Sequence, residues 1–264
     1  MTKLSEFVSQ IIESYKLAFI FFSIALPLAM VPILAEALQH FAEFKLGMFS
    51  LREGEVFGDT KQAIRLLFGL IKVLAIFFIF LVLPRFFLHG RNQHKALSFL
   101  SGNIFGLIRG LIFVLLSMLW LFMVGPAVLP LFMPSLSEVK ILLLSLGALL
   151  IPSIYLMKPT NNWIASLWGL PLPSDAQHKA MNKAIYGVGF IVQIAAIFPA
   201  MALHYWLGFN AMGATGITLA AILIFDSVVV GFLACLLASC IFVLIRDAYE
   251  PTTKHDLDTK SSRG

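Results

Sequence analysis

Apolar runs of membrane-spanning length, separated by short polar stretches, make up most of the chain. A helix needs about 20 mostly apolar residues to cross a bilayer. Six segments approach or exceed that length: Leu17–Ala35, Leu66–Leu88, Leu107–Pro130, Val139–Met157, Ile185–Leu207 and Ala221–Ile245. Ahead of them, residues 1–16 place Leu4, Phe7, Val8, Ile11 and Ile12 at helical spacing, which predicts an amphipathic helix lying along the membrane interface. Residues 247–264 are polar and read as a cytoplasmic tail. The expected fold class is all-α: a polytopic membrane helix bundle with six spans over residues 17–246 and an N-terminal amphipathic interfacial helix.

Local signals refine the boundaries. The 35 residues from Ala211 to Ile245 would make a helix about 52 Å long, too long for one hydrocarbon core of about 30 Å. Gly208, Gly213 and Gly216, with Asn210 and Thr215, therefore read as a turn ahead of the last span. Asp59 followed by Gln62 has the spacing of a capping box and predicts a helix start near Thr60. Pro27 and Pro32 in the first span, and Pro126 and Pro130 in the third, predict kinks. In the loop before the fifth span, Trp163 and Trp168 suit the membrane interface. Pro171 and Pro173 force an extended turn there, and Ser174 or Asp175 can cap the helix that follows. Ala35-Glu36-Ala37 has the small-x-small form of a cleavage site, but the 19-residue run before it is too long for a signal-peptide core, so the first span is expected to be retained. The stretch Phe68-Gly69-Leu70-Ile71-Lys72 recurs as Phe105-Gly106-Leu107-Ile108-Arg109; chance in a chain rich in these residues accounts for it.

Composition narrows the class further. Of 264 residues, 59% are hydrophobic and 12% charged, with a mean hydropathy of +0.92. Soluble domains carry about 45–50% apolar and about 25% charged residues, which excludes one here. The net charge of +5 and pI near 9.3 come from bases in short loops, where they orient the chain and meet anionic headgroups. The bilayer is thus the expected partner, and nucleic acid is not. With the N-terminus inside, thirteen Lys and Arg residues fall on the cytoplasmic side and five outside, Lys72 being intramembrane. That asymmetry predicts both termini in the cytoplasm, in what is expected to be a bacterial inner (cytoplasmic) membrane. Cys235 and Cys240 lie five apart on different helix faces and read as buried thiols.

No phosphate loop, dinucleotide fingerprint, serine elbow, CxxC or HExxH motif occurs, so no catalytic residue is assigned and no cofactor is expected. Glu36, Gln39, His40 and Glu43 share one helical face. Lys72, His204 and Asp226 fall at the same outer side in this topology, where each is costly in lipid unless turned inward and paired. Glu36, His40, Glu43, Lys72, His204 and Asp226 are therefore candidates for a polar pocket open to the outside, with Lys72 and Asp226 the natural pair by charge. His40, His204 and Glu36 are the candidate metal ligands, since imidazole and carboxylate together suit divalent ions. Ser227, Gly231, Cys235 and Ser239 recur every four residues and form a small-residue seam. That seam could pack within the bundle, against other membrane subunits, or in a homo-oligomer through the sixth helix. Gly231→Leu should disrupt it and Gly231→Ala should be mild. Three functions fit these features: a small transport or permeation protein (or a transport accessory), a non-catalytic scaffold or assembly factor, and a membrane-embedded enzyme acting on a lipid-like substrate. The first is favoured because the polar residues match no known catalytic spacing.

Overall fold

A computed structural model of the chain describes residues 3–50, 58–98 and 157–261, together with scattered positions between 108 and 148. Every regular element among the described residues is helical. The elements are α1 (Lys3–Ile24), α2 (Leu26–Lys45), a 3₁₀ turn (Met48–Ser50), α3 (Asp59–Leu88), α4 (Gln93–Leu97), α5 (Met157–Trp168), α6 (Asp175–Tyr186), α7 (Val188–Ala211) and α8 (Gly216–Ser261). Among the described residues, four stretches are long and apolar enough to cross a membrane: Leu4–Ile24, Thr60–Leu88, Gly189–Ala211 and Gly216–Tyr249. The segments expected as third and fourth spans, with Pro126 and Pro130, lie outside the described residues apart from scattered positions. The chain divides into two compact units, residues 1–97 with 180–264, and residues 98–179.

In the first unit, α8 runs antiparallel to α1 and α2. His40 meets Asp226 near one end, and Glu13 meets Arg246 near the other. Phe232 lies between these pairs, in ring contact with Phe19 and Phe22. α3 closes the apolar core through Phe86, which packs edge-on against Phe21 at 5.3 Å. At the end of α3, buried Arg85 donates to the carbonyls of Ala96 and Lys95, tying α4 back onto the helix.

Several boundaries differ from expectation for local reasons. Residues 3–16 belong to the same helix as the start of the first expected span, so α1 runs without a break across that boundary. The break comes at Ala25, two residues before Pro27, which sits in the first turn of α2, where a missing N–H removes no intrahelical bond. Pro32 leaves α2 uninterrupted. α3 begins at Asp59 with Gly58 at the cap position, one residue ahead of the expected start near Thr60. The glycine turn does form: α7 runs to Ala211, Gly213 adopts φ +79°, and its N–H donates to the Phe49 carbonyl at 2.9 Å. α8 then continues past the expected tail boundary to Ser261.

In the second unit, Trp168 is fully buried. Ser174 caps α6: its Oγ accepts from the Gln177 N–H at 3.3 Å, and the Gln177 side chain accepts from the Ser174 N–H at 2.9 Å. Lys158 donates to Asp175 at 2.9 Å and holds that exposed carboxyl below its ordinary range.

Candidate functional site

α2 has inverted amphipathicity. Leu38 and Phe41 are 51% and 59% exposed, whereas Glu36, Gln39, His40 and Glu43 are all buried. In lipid this is the favourable arrangement, because ionisable groups turn inward to find partners. The partners come from three further helices.

Asp226 on α8 is the hub. Its Oδ2 lies 2.9 Å from His40 Nε2, and its Oδ1 lies 2.8 Å from His204 Nδ1 on α7. His40 also reaches Glu43 Oε2 through Nδ1 at 3.2 Å and Glu36 Oε1 through Nε2 at 3.5 Å. Lys72 on α3 pairs with Glu36 at 2.9 Å, and Arg65, two turns earlier, pairs with Glu43 at 3.1 Å. Gln39 donates to Glu43 at 3.1 Å. Phe49 stands beside the His40 ring, 6.3 Å between centroids, and packs with Ala211 and Leu219 under the glycine turn.

All six expected pocket residues are therefore in one connected cluster, though the pairing differs from the expected one. Lys72 meets Glu36 rather than Asp226, because the α2–α3 contact puts Glu36 at its depth. Arg65, one residue ahead of the expected second span, is a member of the cluster absent from the sequence-based candidates; the structure places it on α3. A usable signal existed, since Glu36 and Glu43 are seven apart, as are Arg65 and Lys72. On adjacent antiparallel helices that matched spacing aligns both pairs.

The electrostatics follow from the inventory. Three carboxylates face two basic side chains and two imidazoles, so neutrality requires one imidazolium or one protonated carboxyl. His40 points in the same direction, because both its ring nitrogens face carboxylates, and a neutral imidazole has a hydrogen on only one of them. The site thus has a place for one exchangeable proton, between buried carboxylates and partly exposed basic groups. Glu36 and Asp226 are each 1% exposed, while the side chains of Lys72 and His204 are 21% exposed and that of Arg65 is 41% exposed. Ligand atoms of Glu36, His204 and Asp226 all lie within 4.8 Å of one another, which makes these the side chains able to hold a metal.

The small-residue seam is occupied from within the chain. Ser227, Cys235 and Ser239 are buried, and Gly231 faces Ile33 of α2. At Gly231 the contact lies inside the bundle and leaves no face for a second protomer.

Comparison with known protein families, curated proteins and solved structures finds no match. The fold and site define an all-helical protein with four helices able to cross a membrane and a buried carboxylate–imidazole cluster among the described residues.

Proposed function

We propose that the protein is a small transport or permeation protein, or a transport accessory, in which the Asp226 cluster is a cation-accepting pocket open to the outer side of a bacterial inner membrane. Six spans and two cytoplasmic termini accompany this reading, supported by the Lys/Arg asymmetry of the loops. The observation that carries it is the connected network of imidazoles and carboxylates, with room for one exchangeable proton. Depth supports it as well. Asp226 and Arg246 are twenty residues apart on α8, about 30 Å of helix, which matches the hydrocarbon thickness. Tyr205 and Trp206 beside His204 are exposed, as suits rings at headgroup level. Both features support a cluster at the outer edge of the apolar layer.

The test uses the full chain in liposomes with a pH dye inside. An imposed potential, or external Na⁺, K⁺, Mg²⁺, Mn²⁺ or Zn²⁺, should change the internal pH faster than in protein-free vesicles. Asp226→Asn and His204→Gln should lose that excess. If no condition exceeds protein-free vesicles, transport is excluded and the scaffold reading takes its place. Labelling of cysteines introduced at Ser50 and Ser262 tests topology: only the former should react from outside.

A further inference from the structure

We infer that the cluster is a binding site for a late first-row divalent metal ion of the zinc type, held by Glu36, His40, His204 and Asp226. The inference rests on the transport reading above and names the class of cation the pocket would take.

Geometry is the first support. Zinc bonds nitrogen and carboxylate oxygen at about 2.0–2.2 Å, so tetrahedral ligands sit roughly 3.3 Å apart. Ligand atoms of Glu36, His204 and Asp226 lie within 4.8 Å of one another. His40 Nε2 adds a fourth donor, 2.9 Å from Asp226 Oδ2 and 3.5 Å from Glu36 Oε1. His40 lies outside the group whose ligand atoms are all within 4.8 Å of one another, so the four-ligand site requires its ring to move toward His204 when the ion binds. The ligands come from α2, α7 and α8, so the ion would tie three helices together.

Donor chemistry is the second support. Two imidazoles and two carboxylates suit zinc and its neighbours, whereas calcium and magnesium prefer shells of oxygen alone. A divalent ion on two carboxylates is neutral, and its binding expels the proton on the imidazoles. It also releases Lys72, the partly exposed partner of Glu36, whose Oε2 has no well-aligned hydrogen bond despite the 2.9 Å ion pair.

The surroundings are the third. Metal-bound histidines usually present their other nitrogen to a carboxylate, which fixes the ring and raises its basicity. Glu43 stands in that place at 3.2 Å from His40 Nδ1, and is itself held by Arg65 and Gln39. Gln39 Oε1 is buried with no hydrogen-bond partner, leaving one acceptor in the same shell unused.

The experiment is metal binding to the full purified chain in detergent, with Zn²⁺ and Co²⁺ as probes. The expected result is one Zn²⁺ per chain after dialysis and a visible tetrahedral spectrum with Co²⁺. Asp226→Asn and His204→Gln should each weaken Zn²⁺ binding at least tenfold. Glu43→Gln should weaken it about 10–100-fold without changing the stoichiometry. Wild-type protein that is monodisperse and binds no Zn²⁺ overturns the inference whatever the variants do, and so does binding unchanged in both Asp226→Asn and His204→Gln. The two readings fail separately. Zn²⁺ binding without any cation-driven pH change removes transport and leaves the metal site, whereas pH changes without Zn²⁺ binding do the reverse.

Discussion

Gly231 on α8 faces Ile33 on α2 so closely that a Cβ added at Gly231 would lie 2.2 Å from Ile33 Cγ1. This approach, five residues from Asp226, brings the α2 backbone near enough for His40 to reach that carboxylate. The expectation that alanine is mild here is corrected, because the obstructing atom belongs to a stiff β-branched side chain. Gly231→Ala should cost about 1–3 kcal/mol, as overpacking does, and Gly231→Leu more. Ile33→Ala introduced beside Gly231→Ala should recover part of the loss. Thermal unfolding in detergent measures both; an alanine variant as stable as wild type would sink the steric account.

Asp226 holds two imidazoles, so its neutralisation should be the most damaging single change in the cluster. Breaking a buried pair by removing one charge costs about 3–5 kcal/mol, and Asp226→Asn should fall in that range. His204→Ala should cost less, because that side chain is 21% exposed. Melting temperatures in the opposite order would show that Asp226 is not the hub.

Lys72 and Glu36 should behave as a coupled pair. Lys72→Met and Glu36→Gln should each destabilise, and the double variant should lose less than the sum by about 0.5–3 kcal/mol, the range for contacting residues. Arg65 and Glu43 should couple more weakly, since the Arg65 side chain is 41% exposed and solvent screens it. Additive effects at Lys72 and Glu36 would mean the ion pair does not form in the folded protein.

In the second unit, Ser174→Ala should remove the cap of α6. Loss of a serine cap costs about 1 kcal/mol, and Gln177→Ala should remove the reciprocal bond. Faster amide exchange confined to the first turn of α6 is the expected signature; unchanged exchange in both variants would argue against the box.

Much of this arrangement is legible in the residues. The acidic face of α2 follows from helical periodicity, and the inward turn of Asp226 follows from the cost of a carboxylate in lipid. The turn before α8 follows from its glycines. What periodicity does not contain is depth. Charge alone cannot choose between Glu36 and Asp226 as the partner of Lys72, and that choice depends on how far α3 slides along α2. Helix ends are equally hidden, as at residues 3–16, which run into the first span without a break, and beyond Arg246, where α8 continues to Ser261.

The pairing of the first helices with the last has a consequence for biogenesis. His40 and Asp226 are 186 residues apart, and Glu13 and Arg246 are 233 apart, whereas Glu43 and Arg65 are separated by only 22. At about 5–20 residues per second, α2 therefore emerges roughly 10–40 s before the carboxylate that completes its site. The α2–α3 hairpin comes first and can neutralise Glu36 and Glu43 with Lys72 and Arg65. His40 has to remain without Asp226 until α8 has been made, so nascent chains stalled before α8 should be preferred clients of membrane chaperones and proteases.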